Sequence, residues 1–128
     1  MRYPGGKGKT FQHVVNLLPD HTTYIETHLG GGAVLRMKRP ADRSIGIDVD
    51  PKVIAHWRHC HPGLADYRIA DATRELELYP FTGHELVYAD PPYMPTTRKR
   101  QRVYRYDYTE GDHARLLSVL LGMRCSVV

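Results

Sequence analysis

The stretch that decides the fold is residues 23–38, which read TYIETHLGGGAVLRMK. It opens with a short run rich in β-forming residues, passes through three glycines, and continues as a helical pattern that stops at Pro40. A strand, a glycine turn and a helix in this order are the first part of a β-α-β unit. The stretch therefore predicts a first strand over 23–26 and a helix over about 33–38.

The same alternation continues along the rest of the chain. Further short apolar runs predict strands at 44–48, 67–70, 85–89 and 124–128. Helical patterns lie between them, at 11–18, from Pro51 onward, at 72–78 and after the cap that Thr109 begins. Strands that alternate with helices favour an α/β fold with a mostly parallel sheet. With 128 residues, we expect one domain over 1–128.

Composition narrows the class of protein. The chain is 41% hydrophobic and 25% charged, and no stretch reaches the roughly 18 apolar residues of a membrane span. Cys60 and Cys125 have neither metal nor redox spacing, and the first residues lack an apolar secretory segment. We therefore expect a cytoplasmic protein that does not span a membrane. We also expect it to be a monomer. The net charge of +4 gives mild support for a nucleic-acid partner.

Asp90-Pro91-Pro92-Tyr93 follows the apolar run 85–89. This turn suits the methylation of an amino group on a planar ring, because the Asp90 carboxylate and the Pro91 carbonyl can accept both N–H bonds and stabilise developing positive charge. The prolines stiffen the turn, and Tyr93 offers a face for stacking an extruded base. The same four residues also occur as an ordinary strand-ending turn, so both interpretations stay open on this motif alone.

Acidic residues end the other predicted strands. Glu26 precedes the glycine turn, where Gly30 and Gly32 let backbone approach a ligand beside a helix N-terminus. Asp48 can accept hydrogen bonds from the ribose hydroxyls of a nucleoside cofactor, and Asp71 can reach its adenine amino group. Capping or loop roles are the alternatives for both aspartates. The glycine spacing does not fit G-x-G-x-x-G, which disfavours NAD.

Two loops carry further candidates. Near the N-terminus, Lys7 can neutralise a cofactor carboxylate and Tyr3 can pack on the ligand. After the Asp90 turn, residues 98–108 combine positive charges with tyrosines, which suits contact with phosphates and bases. The alternatives are a solvated charged surface for residues 98–108 and an N-terminal segment without a binding role. The predicted DNA-binding residues are Arg98, Lys99, Arg100, Arg102, Tyr104 and Arg105.

One polar cluster resembles a metal site. His56, His59, Cys60 and His61 lie close together at the end of a predicted helix. A zinc site needs a matching pair of ligands elsewhere, and none has the usual spacing. We expect no metal.

These motifs together resemble the D12 class of DNA adenine-N6 methyltransferases, the Dam-like family. Its Gly-Gly-Lys motif is matched by residues 3–7, its Glu-x-x-x-Gly-Gly-Gly motif by 26–32, its second-strand acid by Asp48, and its Asp-Pro-Pro-Tyr by 90–93. The order is the same, and the resemblance covers essentially the whole chain.

The resemblance implies a Rossmann-like sheet of order 3-2-1-4-5, S-adenosylmethionine as methyl donor and a flipped adenine in double-stranded DNA as substrate. By resemblance, Tyr3, Lys7, Asp48 and Asp90 touch the donor, and residues 90–93 form the catalytic turn. The cofactor motifs then occupy residues 1–71, and the catalytic turn with the basic loop occupies 90–108.

The chain departs from the family pattern in two places. Only residues 72–89 separate Asp71 from Asp90, too few for a target-recognition domain, so the chain resembles the compact phage form. The predicted sheet reaches strand five, and we expect a truncated chain without the family's last two strands. The alternatives are a non-catalytic remnant that binds donor or DNA, or methylation of cytosine N4, adenine in RNA or a glutamine side chain.

Overall fold

The computed structural model describes residues 15, 18–91, 109–123 and 125–128. Its strands are β1 Thr23–Glu26, β2 Arg43–Asp48, β3 Asp66–Ile69, β4 Glu85–Tyr88 and β5 Ser126–Val127. Its helices are α1 Ala33–Met37, α2 Pro51–Cys60, α3 Ala72–Leu78 and α4 Glu110–Leu121. The predicted strands and these four helices are confirmed, with bounds that differ by a residue or two. The helix predicted over 11–18 falls largely outside the described residues.

The five strands form one parallel sheet in the order β3-β2-β1-β4-β5, as predicted. This α/β architecture is consistent with a Rossmann-like fold. The chain runs from β1 outward through β2 to β3, and then returns to place β4 on the other side of β1. The strand order therefore reverses between β1 and β4, and ligands in such sheets bind beyond the carboxyl ends of the strands at this switch point.

The two faces of the sheet are covered by different helices. Tyr24 and Ile25 are neighbours in β1, and because side chains alternate along a strand they enter different cores. Tyr24 belongs to a core with α1 and α2, which includes Trp57, whereas Ile25 belongs to a core with α3 and α4, which includes Leu116. The result is three layers, with the strand ends left at one edge of the sheet.

Three of the helices begin at side-chain caps. Asp50 accepts from the backbone N–H of Lys52 at 2.9 Å, directly before the proline that starts α2. Thr109 and Asp112 form a capping box at α4, as their spacing predicts. Within the described ranges, no helix combines the length and apolar character that a membrane crossing requires.

Glu85 caps the turn that leads into β4, and we expect it to make the fold sensitive to acid. Its carboxylate accepts hydrogen bonds from Thr82 N and Oγ1, both at 2.9 Å, and from Gly83 N at 3.0 Å. Burial raises the pKa of Glu85, but these hydrogen bonds outweigh burial and hold it below its ordinary value. A depressed pKa contributes stability above the unfolded-state value of about 4.5, and that contribution is lost as the pH falls.

The Glu85→Gln variant should therefore be less stable at pH 7 by about 1–3 kcal/mol. It should also lose less stability than the wild type when the pH is lowered from 6 to 4. Urea unfolding of both proteins across this range measures both effects. An equally steep acid dependence in the two proteins would contradict the assignment.

Candidate active site

Four acidic residues lie at the carboxyl edge of the sheet, one for each of four neighbouring strands. Asp48 and Glu26 are the last residues of β2 and β1, whereas Asp71 and Asp90 follow shortly after β3 and β4. Because all the strands are parallel, these ends meet at the same edge. Glu26 and Asp90 thus stand on the two sides of the switch point.

The glycine turn after β1 is fastened to the end of β2. Leu29 N donates to the Ile47 carbonyl at 2.9 Å, and Gly30 N donates to Asp48 Oδ2 at 3.0 Å. Asp48 Oδ1 accepts a second backbone bond from Asp50 N at 2.9 Å. Burial raises the pKa of Asp48, and the two N–H donors oppose that rise. Asp48 therefore fixes the glycine turn, which is the loop role given as its alternative, and its contact with ribose stays a prediction.

Trp57 of α2 supports the glycine turn from the core. Its indole Nε1 donates to the Gly30 carbonyl at 2.9 Å. Gly30 and Gly32 have positive φ angles of 47° and 59°, which favour glycine. A Cβ at Gly32 would lie 2.2 Å from Trp57 Cζ2, so this position is closed to any side chain. The turn is a rigid backbone loop, held by α2 and by β2.

Glu26 is buried at the centre of the edge, with 4% of its surface exposed. Tyr24, two residues earlier on the same face of β1, donates its hydroxyl to Glu26 Oε1 at 2.5 Å. The pKa of Glu26 is raised to about 8, and burial is the largest cause. The negative charges of Asp90 and Asp48 also raise it, whereas the hydrogen bonds from the Tyr24 hydroxyl and from the backbone of Leu35 lower it. Glu26 is therefore largely protonated at neutral pH.

The strands on both sides of β4 hold the chain just before Asp90. Thr27 N, after β1, donates to the Tyr88 carbonyl at 3.1 Å, and Ala89 N donates to the Val128 carbonyl at 2.9 Å. Burial raises the pKa of Tyr88, and the charge of Asp90 contributes to the rise. Asp90 and Pro91 thus follow a strand end that is fixed on both sides, and their position after β4 is the one that the sequence predicted. Pro92 and Tyr93 lie outside the described residues.

Asp71 takes the capping role that was one of its two alternatives. Its Oδ1 accepts from Thr73 N at 3.2 Å at the start of α3, and its Oδ2 accepts from Arg115 Nη2 of α4 at 2.5 Å. Burial lowers the pKa of His28, in the glycine turn, to about 4, although the negative charge of Asp71 acts to raise it. His28 is therefore neutral at pH 7. An adenine contact of Asp71 stays a prediction.

The structure brings part of the predicted site together. Glu26, Gly30, Gly32, Asp48 and Asp90 lie around the switch point, and Asp71 lies farther along the edge, after β3. Pro91 follows Asp90 directly and is described. The remaining predicted residues lie outside the described ranges, so nothing tests them: Tyr3, Lys7, Pro92, Tyr93, Arg98, Lys99, Arg100, Arg102, Tyr104 and Arg105.

The polar cluster at the end of α2 was the one candidate metal site in the sequence. His56 Nδ1 lies 3.7 Å from the exposed Cys60 Sγ. Among the described residues, no group of three or more His, Cys, Asp or Glu is arranged to hold a metal ion.

Three residues of the site were missed in the sequence. Tyr24 could have been found, because residues two apart on a strand share a face and Tyr24 therefore points toward Glu26. No local sequence pattern places Trp57 or Lys38 in the site, because both residues reach it only through tertiary packing. Lys38 Nζ lies 4.6 Å from the centre of the Tyr24 ring and donates to the Arg39 carbonyl at 2.6 Å.

No protein-family model matches the chain, and no curated protein is significantly similar to it. A function for the chain is therefore supported by the arrangement of these residues and by the resemblance of its motifs.

Proposed function

We propose that this protein is an S-adenosylmethionine-dependent DNA methyltransferase that acts on adenine N6. One observation carries the proposal. On one side of the switch point lie a glycine turn and the acids Glu26 and Asp48, and on the other side lies the Asp90-Pro91 turn. A nucleoside donor and a planar amine acceptor would meet in such a crevice.

The residues around the glycine turn fit a nucleoside donor of positive charge. The turn offers backbone without side chains at residues 30–32, beside the buried carboxyl groups of Glu26 and Asp48. These acids favour a ligand that carries sulfonium and ammonium charges. Asp48 would face the ribose, and Asp71 would lie toward the adenine. When bound, S-adenosylmethionine supplies an electrophilic methyl group.

Asp90 and Pro91 would prepare the acceptor. An amino group on an aromatic ring is a weak nucleophile, since its lone pair is delocalised. The Asp90 carboxylate and the Pro91 carbonyl would accept its two N–H bonds and turn the lone pair out of conjugation. The Asp90 charge would then stabilise the positive charge that develops on nitrogen. Holding the donor methyl group and the acceptor nitrogen in line would supply much of the remaining rate enhancement. No covalent bond to the protein would form.

DNA as the acceptor rests on charge and on the resemblance. The chain carries a net charge of +4, and residues 98–108, directly after the Asp90 turn in sequence, are rich in arginine and tyrosine. Such a segment suits phosphate contacts together with base stacking.

A transfer assay tests the proposal. Purified protein, methyl-labelled donor and unmodified double-stranded DNA should yield N6-methyladenine, identified by mass analysis of the digested nucleosides. Premethylated DNA of the same sequence is the matched control and should accept little label. Label found on cytosine N4, on adenine in RNA or on a glutamine would show that this group, and not adenine N6 in DNA, is the acceptor. Donor binding without transfer to any of them would indicate a non-catalytic binding protein.

A further inference from the structure

Glu26 is a buried carboxyl group whose neighbours bring mostly like charge. It lies on β1 at the switch point, and its Oε1 accepts the Tyr24 hydroxyl at 2.5 Å. Within residues 18–91, 109–123 and 125–128, the titratable groups that act on it are Tyr24 on β1, Asp48 at the end of β2, Tyr88 and Asp90 at the end of β4, and Lys38 after α1.

The one cation in that set does not neutralise the acids. Lys38 Nζ is directed to the Arg39 carbonyl and to the face of the Tyr24 ring. Burial lowers the pKa of Lys38, the nearby Arg39 lowers it further, and the charge of Glu26 only partly opposes this. Ionised Glu26 would therefore be a buried anion beside Asp90 and Asp48, which is a costly state.

We propose that the site is proton-linked: the Glu26 carboxyl carries a proton in the free protein and releases it to solvent when a cationic ligand binds beside it. In this step the O–H bond of Glu26 breaks, its electron pair stays on the carboxylate, and the proton passes to water or buffer. The inference rests on the proposed function, which names S-adenosylmethionine as the cation.

The linkage has a defined direction with pH. Glu26 ionises with a pKa of about 8 in the free protein, and a bound cation lowers that pKa. Below pH 8 the ligand must displace a proton, so its affinity should rise about tenfold per pH unit between pH 6 and 7.5. Above pH 8 the affinity should level off.

Titration calorimetry measures the proton directly. At pH 7, donor binding in buffers of different ionisation enthalpy should release close to one proton from the wild type. Glu26→Gln keeps an acceptor for Tyr24 but should release none. Glu85→Gln is the matched control, because Glu85 is also buried but its pKa is depressed, and it should behave as the wild type. Proton release that persists in Glu26→Gln would overturn the inference.

Tyr24→Phe provides a second variant that keeps the carboxyl group. The Tyr24 hydrogen bond lowers the pKa of Glu26, so its removal should raise that pKa. Donor affinity should then level off at a higher pH than in the wild type. A purely structural role of Tyr24 would weaken binding equally at every pH, and that result would count against the linkage.

The free protein offers a test that needs no donor. Folded Glu26 binds its proton more tightly than unfolded Glu26, whose pKa is about 4.5. The stability that this group contributes is therefore lost as the pH rises from 4.5 to 8, and Glu26→Gln should lack that loss. Equal pH dependence in both proteins would refute a protonated Glu26.

The proton linkage and the proposed function can fail separately. Donor binding without proton release would refute the linkage and leave the proposed function standing. No donor binding at any pH would refute both.

Discussion

Replacing Asp90 with alanine should reduce the rate of methyl transfer by a factor on the order of 10²–10³, since it removes the group that would stabilise positive charge on the acceptor nitrogen. Thr27 and Val128 hold the chain before this turn through backbone hydrogen bonds with Tyr88 and Ala89, which the substitution does not remove. The fold should therefore survive the change. Single-turnover rates at saturating donor and DNA measure the loss.

An exposed aspartate provides the control. Asp42 precedes β2, at the opposite edge of the sheet from Asp90, and Asp42→Ala should transfer at the wild-type rate. Donor titration and urea unfolding separate lost catalysis from a damaged fold, because Asp90→Ala should lose far more in transfer rate than in donor affinity and should unfold at a similar urea concentration. If Asp90→Ala transferred methyl groups as fast as the wild type, the proposed role of Asp90 in catalysis would be wrong.

Gly32→Ala should destabilise the protein by about 2–5 kcal/mol, the second large effect we expect. The new Cβ would lie 2.2 Å from Trp57 Cζ2 and 2.7 Å from Cη2, in a backbone conformation with φ of 59°. The core must move to admit it, and the glycine turn must move with it. Chemical unfolding gives the loss of stability, and donor titration should show weakened binding in the fraction that folds.

Gly63 separates the two causes of that loss. It also has a positive φ, 82°, but a Cβ there meets nothing within 4 Å. Gly63→Ala should therefore carry the conformational cost alone, about 1–2 kcal/mol. In a Trp57→Leu background, which opens space beside the turn, Gly32→Ala should cost much less than in the wild type. A small excess over Gly63→Ala should remain, because the new Cβ also lies 3.1 Å from Leu29 Cδ1. A full Gly32→Ala penalty in that background would refute the clash with Trp57.

Local sequence patterns predicted the fold well. The run 23–26 matches β1, and the helix 72–78 is recovered with its Asp71 cap, because strand propensity and capping are encoded within a few residues. The parallel sheet followed from the alternation of strands and helices. The strand order came from the resemblance, since periodicity alone does not say which side of β1 receives β4.

The site was harder to predict than the fold, for reasons of tertiary structure. The sequence indicated that Glu26, Asp48 and Asp90 end strands, but which hydrogen bonds they accept depends on residues distant in the chain. Asp48 is 18 residues from Gly30, whose N–H it accepts, and Trp57 is 27 residues from the Gly30 carbonyl that it binds. The protonation of Glu26 depends on burial, which short motifs do not encode.

The tryptophan beneath the glycine turn has a practical consequence. Trp57 is the only tryptophan of the chain, and its indole N–H is bonded to the turn that would hold a ligand. The tryptophan fluorescence of the protein, excited at wavelengths that its tyrosines do not absorb, therefore arises at one known place, in contact with the candidate site. Any ligand that shifts Gly30 or changes the local field should alter the emission, so binding can be followed without a label.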